Sequence, residues 1–169
     1  MISSIKTWMF NKSLKEHTNF KSNREFSGIN NCASYCIIAS GDTSSIYATQ
    51  AYKRKLEGLK KRVDVLYFQD NKAASENGYS RSNVKWNGVP EHELIDAMLS
   101  REYDLLLFLY PKMENHLKYL AILCNAKFKI GPAFENSTHI FDLMIESQDY
   151  KETEKFIQEI DKQLKLISI

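Results

Sequence analysis

Asp104-Leu105-Leu106-Leu107-Phe108-Leu109 is the stretch that decides the fold. It is an unbroken apolar run, stopped by Pro111. A strand that is apolar at every position must be covered on both faces, which places it inside a parallel sheet. Tyr35-Cys36-Ile37-Ile38-Ala39 upstream has the same character, and Val63 to Phe68 forms a third such segment. Lys127-Phe128-Lys129-Ile130 alternates, so one face of it is expected to be wetter, and Gly131-Pro132 is expected to break it. Ile140 to Ile145 reads as a further strand, and Val84-Lys85-Trp86 as a short edge strand.

Helices separate these strands. Residues 45–61 carry the stripe Tyr47, Ala48, Ala51, Tyr52, Leu56 and Leu59, and end in Lys60, Lys61 and Arg62, where cations favour a helix C-terminus. Pro90 is expected to open a helix with Leu94, Ile95, Met98 and Leu99 inward. Residues 114–125 place Leu117, Leu120, Ala121 and Cys124 on one face, and residues 150–167 place Phe156, Ile157, Ile160, Leu164 and Ile167. The link from Ile130 to Ile140 is too short for a helical crossover. Either those two strands are antiparallel or one lies outside the sheet. The order predicts an α/β, Rossmann-like domain over residues 31–169, with a mainly parallel sheet of about five strands in the order 2-1-3-4-5 and helices on both faces.

Residues 1–30 form a different unit: a basic amphipathic helix and a polar connector, Asn19 to Asn31. Ile2, Ile5, Trp8 and Met9 share a helical face, followed by Phe10. Lys6, Lys12, Lys15, Lys21 and Arg24 stand against Glu16, so residues 1–24 hold +4 of a chain whose net charge is +2. A near-neutral body and one basic arm argue against a nucleic-acid-binding protein. The arm (Ile5, Trp8, Met9, Phe10) is expected to dock on its own domain, a sister subunit or another protein. Peripheral attachment to an anionic membrane is the less favoured use of so short a stripe.

Composition sets outer limits. With 43% hydrophobic and 26% charged residues in 169, the chain is an ordinary globular domain. The three cysteines, Cys32, Cys36 and Cys124, form neither a CxxC nor an even set, which argues against disulfides and zinc and fits a reducing cytoplasm. Cys36 and Cys124 read as core residues and Cys32 as more exposed. His17, His92, His116 and His139 show no metal spacing, and His92 and His116 are expected at exposed helix starts. No catalytic residue, metal or cofactor is assigned.

Ligands of open parallel sheets bind beyond the C-terminal strand ends, where strand order reverses. The loop Ser40-Gly41-Asp42-Thr43-Ser44-Ser45 leaves the first strand and opens a helix there. A helix N-terminus attracts anions, yet the loop lacks GxGxxG and GxxxxGK[ST], and Asp42 would repel a phosphate. A plain N-cap explains the same residues. Asp104, Tyr110 and Lys112 are the other candidates for that site, although for Asp104 and Asp142, at strand ends, holding a neighbouring loop is the favoured reading.

Four stretches resemble a family of small Bacteroidota proteins with no established activity: Trp86-Asn87-Gly88-Val89-Pro90, Tyr103-Asp104-Leu105-Leu106, Ala126 to Gly131, and Phe141-Asp142-Leu143-Met144-Ile145. The first strand, Ser34-Tyr35-Cys36-Ile37, departs from that family's glycine-containing start. More distantly, Ala126-x-x-x-Ile130-Gly131 after an Asp-apolar strand and a helix is similar to the N-terminal half of heptosyltransferase-like glycosyltransferases. In those enzymes the nucleotide-sugar donor binds mostly to a second half. The resemblance implies a bacterial cytoplasmic setting. The favoured expectation is a non-catalytic binding or protein-interaction module. The alternative is an enzyme binding a nucleotide sugar or phosphometabolite at the loop after the first strand.

Overall fold

The computed structural model describes residues 2–17, 28–70, 77–135, 139–146 and 151–167. The connector residues 18–27 and the side chain of Ile2 lie outside the described residues. The first helix, α1, spans Ile2–His17. Then come β1 (Ser34–Ser40), α2 (Thr43–Gly58), β2 (Arg62–Gln69) and β3 (Gly78–Ser80). They are followed by α3 (Glu93–Leu99), β4 (Glu102–Phe108), α4 (Asn115–Leu123), β5 (Asn125–Pro132), β6 (Leu143–Ile145) and α5 (Thr153–Ile167).

All six strands are parallel, in the order β3-β2-β1-β4-β5-β6. The five inner and right-hand strands therefore keep the expected 2-1-3-4-5 pattern, and β3 adds a sixth at the edge. It was missed because Gly78-Tyr79-Ser80 holds no apolar run. Val84 instead makes a lone antiparallel bridge to Pro90, so Val84 to Trp86 is not an edge strand. Pro90 consequently precedes the helix, which starts at Glu93 with the His92 ring accepting from the Leu94 N–H.

The fourth and fifth expected strands also differ from expectation. β5 continues through Gly131 and Pro132, which pair with Met144 and Ile145. β6 runs parallel to β5, and no described residue between them is helical. Ile140 and Phe141 lie before β6, and the Phe141 ring fills the place of a Gly131 side chain, so a Cβ there would meet it at 2.5 Å. Lys129 is not on a wet face: it is buried, and its Nζ donates to the carbonyls of Ala121 (2.7 Å) and Ile122 (2.8 Å) at the end of α4.

Two cores flank the sheet. On one face α1, α3 and α4 bring Phe10, Leu14, Ile95, Met98, Leu117 and Leu120 onto Leu66, Leu106 and Phe108. On the other, α2 and α5 bring Tyr52, Leu56, Phe156 and Ile160 onto Ile37, Leu105 and Leu107. The inward stripe of α2 is Ser45, Thr49, Tyr52 and Leu56, rotated from the expected one, and Tyr47 and Leu59 are exposed. The small polar residues fit because α2 packs closely on α5, where the Ser45 and Thr153 hydroxyls bond at 2.7 Å. α1 is rotated likewise: Phe10 and Leu14 are inward while Ile5 and Trp8 face outward. Cys32 is buried with the other two thiols, its Sγ directed to the Gly28 carbonyl.

Candidate functional site

Strand order reverses between β1 and β4, so their C-terminal ends define the place where a ligand would sit. The loop 40–45 lies there as anticipated, and so does the exit of β4 with Tyr110 and Lys112. Asp104 does not join them. It stands at the start of β4, at the opposite end of the sheet. There its carboxylate accepts from the Ala33 N–H (2.8 Å), the Ser34 N–H (3.0 Å) and the Lys127 ammonium (2.8 Å). Burial opposes its ionisation, yet these donors win and hold its pKa near about 2. Asp142 acts similarly, accepting from the Lys129 N–H at 2.8 Å.

Within the loop, the Ser45 N–H and the space over Gly41 are already engaged. Asp42 is the N-cap of α2: its Oδ1 accepts from the Ser45 N–H (2.9 Å) and the Ser44 hydroxyl (2.6 Å). Partial burial raises the Asp42 pKa, but the hydrogen bonds from Ser44, Ser45 and Ser40 outweigh that and keep it well below the usual carboxylate range. Gly41 donates to the Phe68 carbonyl at 2.8 Å, and its own carbonyl accepts from the Gln69 side chain at 3.1 Å. A Cβ at Gly41 would fall 2.0 Å from Gln69 Cγ. The glycine therefore makes room for Gln69. Ser45 is buried against Thr153, while Thr43 and Ser44 are exposed. Tyr110 is buried, its ring 5.7 Å from Phe68, and burial with nearby Glu114 pushes its pKa up to about 12. Lys112 is exposed on the β4–α4 loop.

Beside this loop is a polar chain that the sequence did not reveal. Tyr79 on β3 shares a hydrogen bond with His116 Nδ1 at 2.8 Å, and His116 Nε2 faces Glu114 Oε2 at 3.3 Å. The same Glu114 oxygen accepts from Arg81 at 2.8 Å, and Arg81 Nε donates to Asp70 at 2.8 Å. Phe68 lies against both groups, with the His116 ring at 4.3 Å and the Arg81 guanidinium at 5.5 Å. His116 is buried, contrary to the expected exposed position, because α4 opens over the edge of the sheet rather than beyond it. Burial lowers its pKa and Glu114 partly opposes that. A neutral ring with its proton on Nε2 satisfies both neighbours. Both nitrogens are thus engaged. The chain clamps β3 and α4 to β2. The signal in the sequence was Glu114-x-His116 at a helix start, but its partners Asp70, Tyr79 and Arg81 meet it only once β3 is placed.

The arm supplies the other candidates. Phe10 packs 6.3 Å from the Tyr119 ring of α4, and Met9 is half-buried. Ile5 is 51% and Trp8 63% exposed, with Lys12 over the Trp8 ring at 5.6 Å. Gly88, at a φ of 87°, would place a Cβ 3.5 Å from Phe10, so the loop bearing exposed Trp86 adjoins α1. Cavities lined by described residues lie elsewhere. One of about 250 Å³ lies between α2 and α5, beside Tyr47 and Asp161; one of about 200 Å³ lies beside β2 and α3. Neither is lined by residues 40–45, Tyr110 or Lys112. Among the described residues no His, Cys, Asp and Glu group is arranged to hold a metal ion, and no helix is long and apolar enough to cross a membrane.

Residues 4–167 match the family described as "Family of unknown function (DUF6913)", and the chain belongs to that family. No curated protein and no solved structure matches the chain.

Proposed function

We propose that this member of the DUF6913 family is a non-catalytic, Rossmann-like interaction module that binds another protein chain, or a sister subunit, through the outer side of α1. The observation that carries the reading is the state of the switch-point loop. Asp42 occupies the α2 amide it would offer to an anion, and Gln69 occupies the space over Gly41. A carboxylate there repels phosphate as well as competing with it. The same chain holds Ile5 and Trp8 outward from a helix that Phe10 and Leu14 already anchor. Trp side chains are frequent anchors of protein interfaces. On this reading the protein works in a bacterial cytoplasm, which its three free thiols support.

The test has two arms. A photo-crosslinking residue at position 8, expressed in the native cell, is expected to capture a second polypeptide, and Trp8→Glu to abolish that association. Nucleotides, nucleotide sugars and sugar phosphates are expected to leave the melting temperature unchanged. A ligand at about 100 times its Kd stabilises by roughly 2.7 kcal/mol, which a melting curve resolves. A shift with a nucleotide sugar, together with no crosslink from position 8, would overturn the proposal in favour of an enzyme or a relative of one.

A further inference from the structure

We infer that the N-terminal half of β2 is a docking edge for an extended segment of a partner protein, one that alternates apolar and acidic residues. The inference does not depend on the α1 reading and concerns a different surface.

β3 pairs with Tyr67, Phe68 and Gln69, so residues 62–66 of β2 run alongside β1 with no strand beyond them among the described residues. In a strand, successive backbone groups face opposite sides. Arg62 donates inward, to the Ala33 carbonyl preceding β1, whereas Tyr67 donates outward, to the Asn77 carbonyl. Val63 and Val65 share the parity of Tyr67. Their N–H and C=O groups therefore point to the open edge, where no described residue pairs with them. Such an edge is a template for strand addition.

The cavity of about 200 Å³ lies along this edge. Leu94 and Met98 of α3 form one wall, Lys53 of α2 belongs to the other, and Asn77 closes the end towards β3. An added strand would point alternate side chains at the two walls. Those on the α3 side would meet Leu94 and Met98. Those on the α2 side would meet Lys53. The charges fit a carboxylate there. Asp64 is already held by Arg101 at 3.0 Å and by the Tyr103 hydroxyl at 2.9 Å. Lys53 has only Glu57 at 3.7 Å among the described residues. Main-chain bonds would supply affinity and the two walls specificity, the division of labour seen wherever a peptide extends a sheet.

The probe is a blocked five-residue peptide of alternating valine and glutamate, with a twin N-methylated at every second residue. Amide exchange of the full chain is followed by NMR. In the free protein Val63 and Val65 are expected to exchange freely, and the peptide to slow both by at least about tenfold. The N-methylated twin is expected to give no protection. Lys53→Glu, a surface change, is expected to weaken peptide binding by about tenfold, as loss of a charge-assisted contact does. Slow exchange at Val63 and Val65 in the free dilute protein would overturn the inference. So would equal binding of the methylated twin. Protection that grows with protein concentration and needs no peptide would overturn it too, by assigning the edge to a second copy of this chain.

Discussion

The two helical layers treat their apolar residues differently. α2 and α5 close on each other: Ser45 bonds Thr153, Asp161 takes the Tyr52 hydroxyl at 2.7 Å and pairs with Lys55, and the α5 stripe from Phe156 to Leu164 is buried. α1, α3 and α4 cover the opposite face less completely. α1 buries Phe10 and Leu14 but leaves Ile5 and Trp8 in solvent, and α3 has only seven residues. The first layer ties its two helices together through these polar pairs, although Tyr47, Leu59 and Leu166 stay exposed on it. On the proposed reading, Ile5 and Trp8 of the second layer are the side chains that meet another chain.

The largest test of that contrast is Phe156→Ala, which should cost about 3–5 kcal/mol and lower the midpoint of global denaturation, because the truncation opens a cavity where the ring is fully buried. Phe10→Ala removes a ring of similar burial, yet the loss should appear first as local release of α1, read by rapid amide exchange in residues 2–17 with the sheet still protected. If both variants melt the whole domain alike, the layers are equally cooperative. Asp42→Ala should cost about 1 kcal/mol, as loss of an N-cap does. The sign with pH follows from the depressed folded pKa of Asp42. Its contribution is complete above the unfolded value near 4 and is lost as pH falls below it, so the stability gap between wild type and variant should close in acid. Thr49→Val should add about 1 kcal/mol to the thermal or urea stability, since the Thr49 hydroxyl is buried without a partner. Trp8→Glu should change stability by less than about 0.5 kcal/mol while removing association, the smallest thermodynamic effect and the most direct mark of a side chain that meets another chain.

The sequence was legible where one side chain's environment follows from its neighbours along the chain. Leu105 to Phe108 could only be an inner strand, and the Ser40–Ser45 cap could only start a helix. It was illegible where the environment comes from another element. The hydrophobic face of α1 depends on whether Phe10 or Trp8 meets Tyr119, and helical periodicity admits both. Lys129 looked wet because it alternates with apolar residues, but two α4 carbonyls await its ammonium inside. Gly131-Pro132 looked like a break, though proline costs a strand little where its missing N–H is not needed. The clamp from Tyr79 to Asp70 joins residues from three separate segments. Only the placing of a three-residue strand, too short to announce itself, brings them together.

Lys129 has a mechanical consequence. It lies on the strand that directly follows α4, and its ammonium grips the last turn of that helix. Helix and strand are thereby riveted at a second point besides their short connection. A slide of α4 along its axis by even one turn, about 5.4 Å, would break both grips together. A displacement imposed on this layer is therefore taken up at the Phe10–Tyr119 contact of α1 with α4, or at α3, rather than at the α4–β5 connection. The α4–β5 seam travels as one stiff spar.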